Sequence, residues 1–553
     1  MIVERGSVRD VLEADDWLEL PDHIVHWRGF VYLPGKRAGA ESIAACDWSA
    51  GLAGACRAAR ELKGSYLLSV MERNGHRHYV FSDAGGNLNA FLAGGTAATS
   101  FLELCEVKGV GFADLDPHAV AELLDLGLVY ERRTLVPSIR VLEPGRVYEL
   151  LAGSEAREHD AALPGIAADP PEGLTVEGFF EGLSTSLRGL RVSADLTGGT
   201  DSRLIAALLA PDLDLEFAIS GTAGNSDIEI AERVASALDR PLHVLHHRVE
   251  DLDADVGDLF DASDGLCDML TFHRMRQNAL ARRARRVEVA ITGGGGELYK
   301  DFWWLQDFPR YRSRRSDLER LFDMRFRAVA LPDGLLAGEY ASAASQTRDR
   351  VLEAMRERVM PLNTQTYDRI YYEMKMWSIP FASLVSRLIP CDAPLLDPEL
   401  VRLGFAQRRS ERFMNRFHRR VVTATAPDVA RIGTTQGGMS LSAEPARQAA
   451  DAFLYAANGV RRLTAKVRQR VGQSTLRQEL PDNPSLIPAA RACPAFGAAV
   501  ARLRDRGVLA GSVDEAAIHD RYVGRVLTLG LLAERLEGVR ERAAERQAAV
   551  TAR

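Results

Sequence analysis

Eight residues near the middle of the chain, Leu196-Thr197-Gly198-Gly199-Thr200-Asp201-Ser202-Arg203, constrain the fold more than any other stretch. The run Val192 to Leu196 leads in as a strand, and Leu204-Ile205-Ala206-Ala207-Leu208-Leu209 leads out as a helix. Strand, glycine turn and helix N-terminus gather free backbone N–H groups and the positive helix end around one anion. Gly198 and Gly199 let the main chain approach closely, and Ser202 adds a hydroxyl donor. Asp201 repels an anion, so its place here points to a bridging Mg²⁺. A plain β–turn–α connection explains a bare Gly-Gly pair, but not the Asp-Ser that follows. The string also lacks the lysine and spacing of a Walker loop. A polyphosphate with its metal is the ligand it suits.

The rest of the composition narrows the class. At 553 residues the chain has room for two to four domains, and 46% hydrophobic with 26% charged residues is the balance of a soluble globular protein. A net charge of −7 offers no global attraction to nucleic acid. The six cysteines, Cys46, Cys56, Cys105, Cys267, Cys391 and Cys493, form no CxxC pair, so neither a disulfide framework nor a zinc site is expected. Met1-Ile2-Val3-Glu4-Arg5 opens no signal-peptide apolar region, and no uncharged run is long enough to span a bilayer. The expectation is a cytoplasmic protein without nucleic-acid or membrane partners.

Residues 24–150 read as β-rich. Ile24–Trp27 and Phe30–Leu33 flank Arg28-Gly29, and Tyr66–Val70 turns at Asn74-Gly75 into His78–Phe81 as a hairpin. Asp116 to Leu126 predicts a helix closed by Gly127, and Pro144-Gly145 a turn before Val147–Leu150. An Ala-, Gly- and Pro-rich linker runs from about 153 to 173. Beyond it, strands at Val192–Leu196, Leu215–Ser220, Leu242–His246 and Val287–Thr292, with a helix over Asp227–Leu238, predict a parallel α/β sheet. From about residue 310 the chain turns helical and arginine-rich, with Asp514–Arg546 the longest pattern.

These pieces together resemble the asparagine synthetase family, which includes β-lactam synthetases and lasso-peptide cyclases. The loop at 197–202 is similar to the Ser-Gly-Gly-x-Asp-Ser loop of ATP pyrophosphatases, with Thr197 for the first serine. Thr134 to Gly145 resembles the family's Thr-x-x-x-x-Ile-x-x-Leu-x-Pro-Gly junction, and Gly64-Ser65-Tyr66 with Asp83-Ala84-Gly85-Gly86 its amidotransferase strand and turn. Phe217 to Gly221 resembles the strand end that frames adenine. Thr292-Gly293-Gly294-Gly295-Gly296-Glu297 stands for Ser-Gly-Glu-Gly-Ala-Asp, and Pro394-Leu395-Leu396-Asp397 for Pro-Phe-Leu-Asp. The resemblance implies an α/β protein. An Ntn-type αββα sandwich, a degenerate glutamine amidotransferase-like domain over 1–152, would precede an adenine-nucleotide α-hydrolase-like ATP pyrophosphatase domain over 174–440. A helical extension over 441–553 would follow.

The departures are as informative. A glutamine-dependent relative needs an N-terminal cysteine, whereas Ile2 follows Met1 here, and Ser82 replaces an arginine before Asp83. The first domain is therefore expected to be a scaffold. Glu297 replaces the second metal-binding aspartate, so Asp201 and Glu297 form an expected Mg²⁺ pair; a helix N-terminal charge is the other reading of Glu297. Gly294 falls where relatives carry a glutamate or tyrosine base. The lysine expected 20 to 25 residues after Asp397 is missing, there being none between Lys375 and Lys466. Arg416, His418, Arg419 and Arg420 are the nearest cations, against the alternative of a solvated basic helix face. Glu373 stands as a replacement base or as helix surface.

Nucleotide is thus expected on Leu196, Thr197, Gly198, Gly199, Asp201, Ser202, Ser220, Gly221 and Gly293, with catalysis from Arg416, His418, Arg419 and Glu373. Arg203 is read either as a contact to phosphate or substrate carboxylate or as an outward surface residue. His243, His246 and His247 read better as core and surface histidines than as a metal site. Trp303 and Trp304 read as packing under a loop or as a pocket wall. The resemblance implies an ATP- and Mg²⁺-dependent, AMP-forming ligase that joins a carboxylate-bearing small molecule or peptide to an amine without glutamine, as in specialised biosynthesis or intramolecular cyclisation. Ammonia-dependent amidation and a non-catalytic, partner-dependent nucleotide scaffold are the alternatives. A partner biosynthetic protein and a homodimer stay open.

Overall fold

The computed structural model describes residues 1–9, 15–75, 77–222, 224–246, 252–301, 304, 315–327, 330–435, 437–470 and 486–551. Of 9, 15, 253–254, 461–470, 517 and 540–551 it describes the backbone alone. The amino-terminal part holds two antiparallel sheets. Their strands are β1 (Ile2–Glu4), β2 (Ser7–Arg9), β3 (Asp15–Glu19), β4 (His23–Tyr32), β5 (Lys63–Glu72), β6 (His78–Ser82), β7 (Phe91–Ala93), β8 (Thr96–Ala98), β9 (Arg140–Val141), β10 (Arg146–Glu149) and β11 (Arg157–Asp160). The orders are β2-β1-β8-β7-β9 and β11-β10-β6-β5-β4-β3. Leu67, Val80, Leu92, Ala97 and Tyr148 fill the space between the sheets.

Helices cover both outer faces. On the larger sheet, α1 (Ala40–Ala44) and α2 (Leu52–Glu61) bury Ile43, Ala55 and Ala58 against Val25, Phe81 and Val147. On the smaller, α3 (Phe101–Lys108) and α4 (Pro117–Leu126) bury Phe101, Leu104 and Val120 with Ile2, Phe91 and Ala98. The result is four layers, helix, sheet, sheet, helix. The expected hairpin forms between β5 and β6, and α4 starts on the Asp116 cap and stops at left-handed Gly127.

Two expectations change. Arg28-Gly29 does not divide two runs, since β4 is continuous for ten residues and Gly29 stays in register opposite Tyr66 of β5. The expected linker is not wholly irregular either. Arg157–Asp160 adds β11 antiparallel to β10, supported by ion pairs of half-buried Arg146 with Glu158 and Asp160.

The parallel sheet follows: β12 (Val192–Asp195), β13 (Leu215–Gly221), β14 (Leu242–His246), β15 (Val289–Ile291) and β16 (Cys391–Asp392), in the order β14-β13-β12-β15-β16. Helices α5 (Val176–Leu187), α6 (Asp201–Leu209), α7 (Ser226–Ala237), α8 (Leu252–Ser263) and α9 (Met269–Ala284) lie along this part of the chain. Leu204, Ile205, Ala207 and Leu208 of α6 are buried, which explains its apolar sequence. From β12 the chain moves one way to β13 and β14, then returns to place β15 on the other side of β12. The loops after β12 and β15 therefore open side by side at a topological switch point, where open α/β sheets bind ligands.

The carboxy-terminal helices are part of a shared core. Leu527, Leu529, Leu532 and Leu536 of Asp520–Thr551 pack in one cluster with α3, α4 and α9. No single described helix is long and apolar enough to cross a membrane. One pair, Leu486–Ala492 with Pro494–Asp505, is sufficiently apolar only when taken together, and it is bent by 68°.

Candidate active site at the sheet switch point

The loop after β12 is braced from within. The Thr197 amide donates to Ser202 Oγ at 3.0 Å, the Thr197 and Ser202 hydroxyls lie 3.0 Å apart, and the Gly199 amide donates to Thr197 Oγ1 at 3.2 Å. Leu196 continues the sheet, its amide donating to the Ala218 carbonyl. The Gly198 amide donates to Asp227 Oδ1 at 3.0 Å, and the Gly198 carbonyl accepts from the Thr435 amide at 3.1 Å. A β-carbon on Gly198 would stand 2.6 Å from Thr435 and 2.7 Å from Asp227, so glycine is required by this close approach.

Asp201 opens α6 and is the hub of the site. Its Oδ2 accepts from the Lys300 ammonium, and its Oδ1 lies 2.9 Å from His418 Nε2 and accepts from the Thr200 hydroxyl at 3.2 Å. Lys300 and His418 are both buried. Burial works against the carboxylate's charge, but the Lys300 ammonium and the His418 bond outweigh it and hold Asp201 well below the usual carboxylate range. For Lys300, burial pulls down, while Asp201, Glu297 and Asp301 pull up and leave its ammonium above the ordinary lysine value.

The loop after β15 comes from the adjacent strand. Gly296 opens the 3₁₀ turn Gly296–Tyr299, and a β-carbon there would lie 2.1 Å from Cγ of Asp201. Only glycine lets this backbone pass. Glu297 follows, its Oε2 accepting from the Tyr371 hydroxyl at 2.5 Å. Tyr371 sits on the π-helical turn Ile370–Met376, the kind of local distortion that re-aims side chains. Burial and then the Glu297 and Asp201 charges push its phenol well above the normal value, so it stays a neutral donor.

The combination of this glycine loop, Asp201 and a second glycine loop at the switch point has a counterpart among known proteins: a family model for asparagine synthase matches residues 188–431. Residues 188–431 are an asparagine synthase domain. This domain has the adenine-nucleotide α-hydrolase-like fold, and the family makes amide bonds at the expense of ATP. A search of curated proteins returns no match.

Within this asparagine synthetase-like domain the expected residues separate. Ser220 Oγ accepts from Asn278 Nδ2 at 3.0 Å at the end of β13, and the Gly221 carbonyl lies 3.2 Å from the His246 ring. Gly293 packs on the Ser202 amide, 3.1 Å from where its β-carbon would be. Ser202, Gly293 and Asp201 thus converge.

Of the four expected catalytic residues, only His418 reaches Asp201. Left-handed Met414 and Asn415 precede Arg416–Thr425, and that helix buries Val421 and Val422, which share a face with His418 at i+3 and i+4. Arg416 is exposed, its guanidinium on the Ser410 carbonyl. Arg419 is buried but occupied by Asp451 at 2.8 Å and by the Ser442 and Met414 carbonyls. Glu373 is held by Arg369 at 3.0 Å and Arg358 at 3.3 Å. None of these bonds leads to Asp201.

Both readings of Arg203 are corrected. It is fully buried and donates to the carbonyls of Ile432 at 2.5 Å and Gly433 at 3.1 Å, tying α6 to the segment that carries Thr435. His243 pairs with Glu216 at 3.2 Å beside Arg285; His247 lies outside the described residues. Trp304 is buried, donating to Asp368 under the Arg412 guanidinium, which is packing, and Trp303 lies outside the described residues.

No motif points to Lys300 or Tyr371. The lysine expected after Asp397 is absent, whereas the one at Asp201 is three residues past Glu297. A lysine so close behind a glycine loop was the available signal.

The expected Mg²⁺ pair can be tested on the donor set. Both Asp201 oxygens already carry protein donors, one of them an ammonium, and one Glu297 oxygen carries Tyr371. Among the described residues no group of three His, Cys, Asp or Glu is placed to hold a metal ion. Asp201 and Glu297 as arranged do not fit a protein-bound Mg²⁺.

Proposed function

We propose that this chain activates a substrate carboxylate with ATP and joins it to an amine without using glutamine. The observation that carries the reading is the convergence of the 196–203 loop, Lys300 and His418 on Asp201 at the switch point. In the proposed reaction a carboxylate oxygen attacks the α-phosphorus, the bond to the bridging oxygen breaks and pyrophosphate leaves. An amine nitrogen then attacks the acyl carbon and AMP leaves. The Lys300 ammonium supplies fixed positive charge where negative charge builds up, and Asp201 holds it in place. The α6 N-terminus receives phosphate oxygens.

Glutamine independence draws support from the first unit, read as a degenerate amidotransferase domain. Its Asp83 is committed, accepting from the amides of Asn87 at 2.8 Å and Leu88 at 2.9 Å. An intramolecular amine, as in cyclisation, or a second substrate would then supply nitrogen, a reaction suited to natural-product or peptide-modifying biosynthesis.

One observation favours a partner-dependent scaffold instead: the Gly198 amide is already taken by Asp227. A single experiment separates the two. Pyrophosphate release is measured with a panel of carboxylates and hydroxylamine as trapping nucleophile. Release with hydroxamate formation supports the ligase. No release, together with no thermal shift on adding ATP, overturns the ligase reading.

A further inference from the structure

We infer that Lys300 stands in for a protein-bound divalent cation, so that the site meets polyphosphate with its own ammonium and takes no metal ion on Asp201 or Glu297. The inference rests on the reading of residues 196–203 as a polyphosphate loop. Mg²⁺ demands an octahedron of oxygens at about 2.0–2.1 Å and binds through carboxylate oxygens left free for it. Here Oδ2 of Asp201 holds the Lys300 ammonium, and Oδ1 holds His418 Nε2 and the Thr200 hydroxyl.

Nor can the ammonium readily step aside. The Lys300 side chain is 5% exposed, and moving it off Asp201 would leave a buried charge without its partner. Gly296 closes another approach, with no room even for a β-carbon beside Cγ of Asp201. Glu297, whose charge also acts on the ammonium, adds a second carboxylate that is oriented by Tyr371. Two carboxylates acting on one fixed cation reproduce the charge pattern of a metal-bridged pair. A divalent ion that accompanies the nucleotide would ride on its phosphates, out of contact with these side chains.

The test uses the full chain and Mn²⁺ alone as a spectroscopic probe, followed by electron paramagnetic resonance. Wild type is expected to hold no Mn²⁺ at concentrations up to about 1 mM. Lys300→Met, which frees Oδ2 of Asp201, is expected to bind one, and adding Asp201→Asn to abolish that binding. Mn²⁺ held by wild type and lost in Asp201→Asn overturns the inference, as does a folded Lys300→Met that binds none. Calorimetry of ADP with wild type and Asp201→Asn decides the matter even if Lys300→Met fails to fold. The expected ratio of affinities with Mg²⁺ and with EDTA is the same in both proteins to within about threefold. A Mg²⁺ dependence that Asp201→Asn removes overturns the inference and leaves the polyphosphate reading standing. Absence of ADP and ATP binding under every condition overturns that reading, and the inference with it.

Discussion

The Lys300 ammonium and the Asp201 carboxylate form a buried ion pair at the junction of two glycine loops, and His418 holds the opposite oxygen of the same carboxylate. Replacing Asp201 with Asn keeps the shape and removes the charge. Pyrophosphate release should be lost, and the buried ammonium, left to Glu297, should cost roughly 3 kcal/mol of stability. Chemical denaturation beside the activity assay checks both. Full activity in this variant would remove Asp201 from the mechanism.

Gly296→Ala tests the same pair from the backbone. Its new methyl would fall 2.1 Å from Cγ of Asp201, so the carboxylate must swing off His418 or Lys300. The expected outcome is a folded protein with at least about a hundredfold lower rate, since a displacement near 1 Å at a reacting centre costs that much. An equal rate would mean that the carboxylate's position is unimportant.

Arg203→Met tests the tie between α6 and the segment at 432–435. Two backbone carbonyls lose a buried donor, at about 1–3 kcal/mol each. A lower unfolding free energy and faster proteolysis after Ile432 are expected, with weaker nucleotide binding because Thr435 steadies Gly198. Unchanged proteolysis would show that Arg203 does not anchor this segment.

Asp392→Asn addresses pH. Asp392 is buried beneath Ser65 of β5, which donates to it at 2.8 Å, and burial pushes its carboxyl up to about 7, with Asp83 and Asp397 adding to the rise. A folded pKa raised above the unfolded value contributes stability that is complete below about pH 4 and lost as pH rises through 7. The Asn variant carries no such penalty. Its melting temperature relative to wild type should therefore climb between pH 5 and pH 8. A pH-independent difference would refute the assignment.

Much of the site was legible because its signals are local. His418 could be picked out only as one of several neighbouring cations. The left-handed Met414 and Asn415, followed by burial of Val421 and Val422, turn it inward while Arg416 and Arg420 stay exposed. Arg419 could not be set aside from sequence, because Asp451, its partner, is 32 residues away. β11 has no local signal for a related reason. Arg157-Glu158-His159-Asp160 has no apolar alternation, and it pairs with β10 through backbone bonds and surface charge.

By itself, the sequence determined the strand, glycine turn and helix around Asp201 and the parallel order of elements that follows. Those depend on periodicity, on glycine's freedom and on contacts within a few residues. Only the tertiary structure decided which cation faces Asp201. Lys300 and His418 lie 99 and 217 residues beyond it. They meet it because β15 returns to the side of β12 and because an amphipathic helix packs on α6. The choice among cations is therefore made by burial and sheet order, which no local pattern in the chain records.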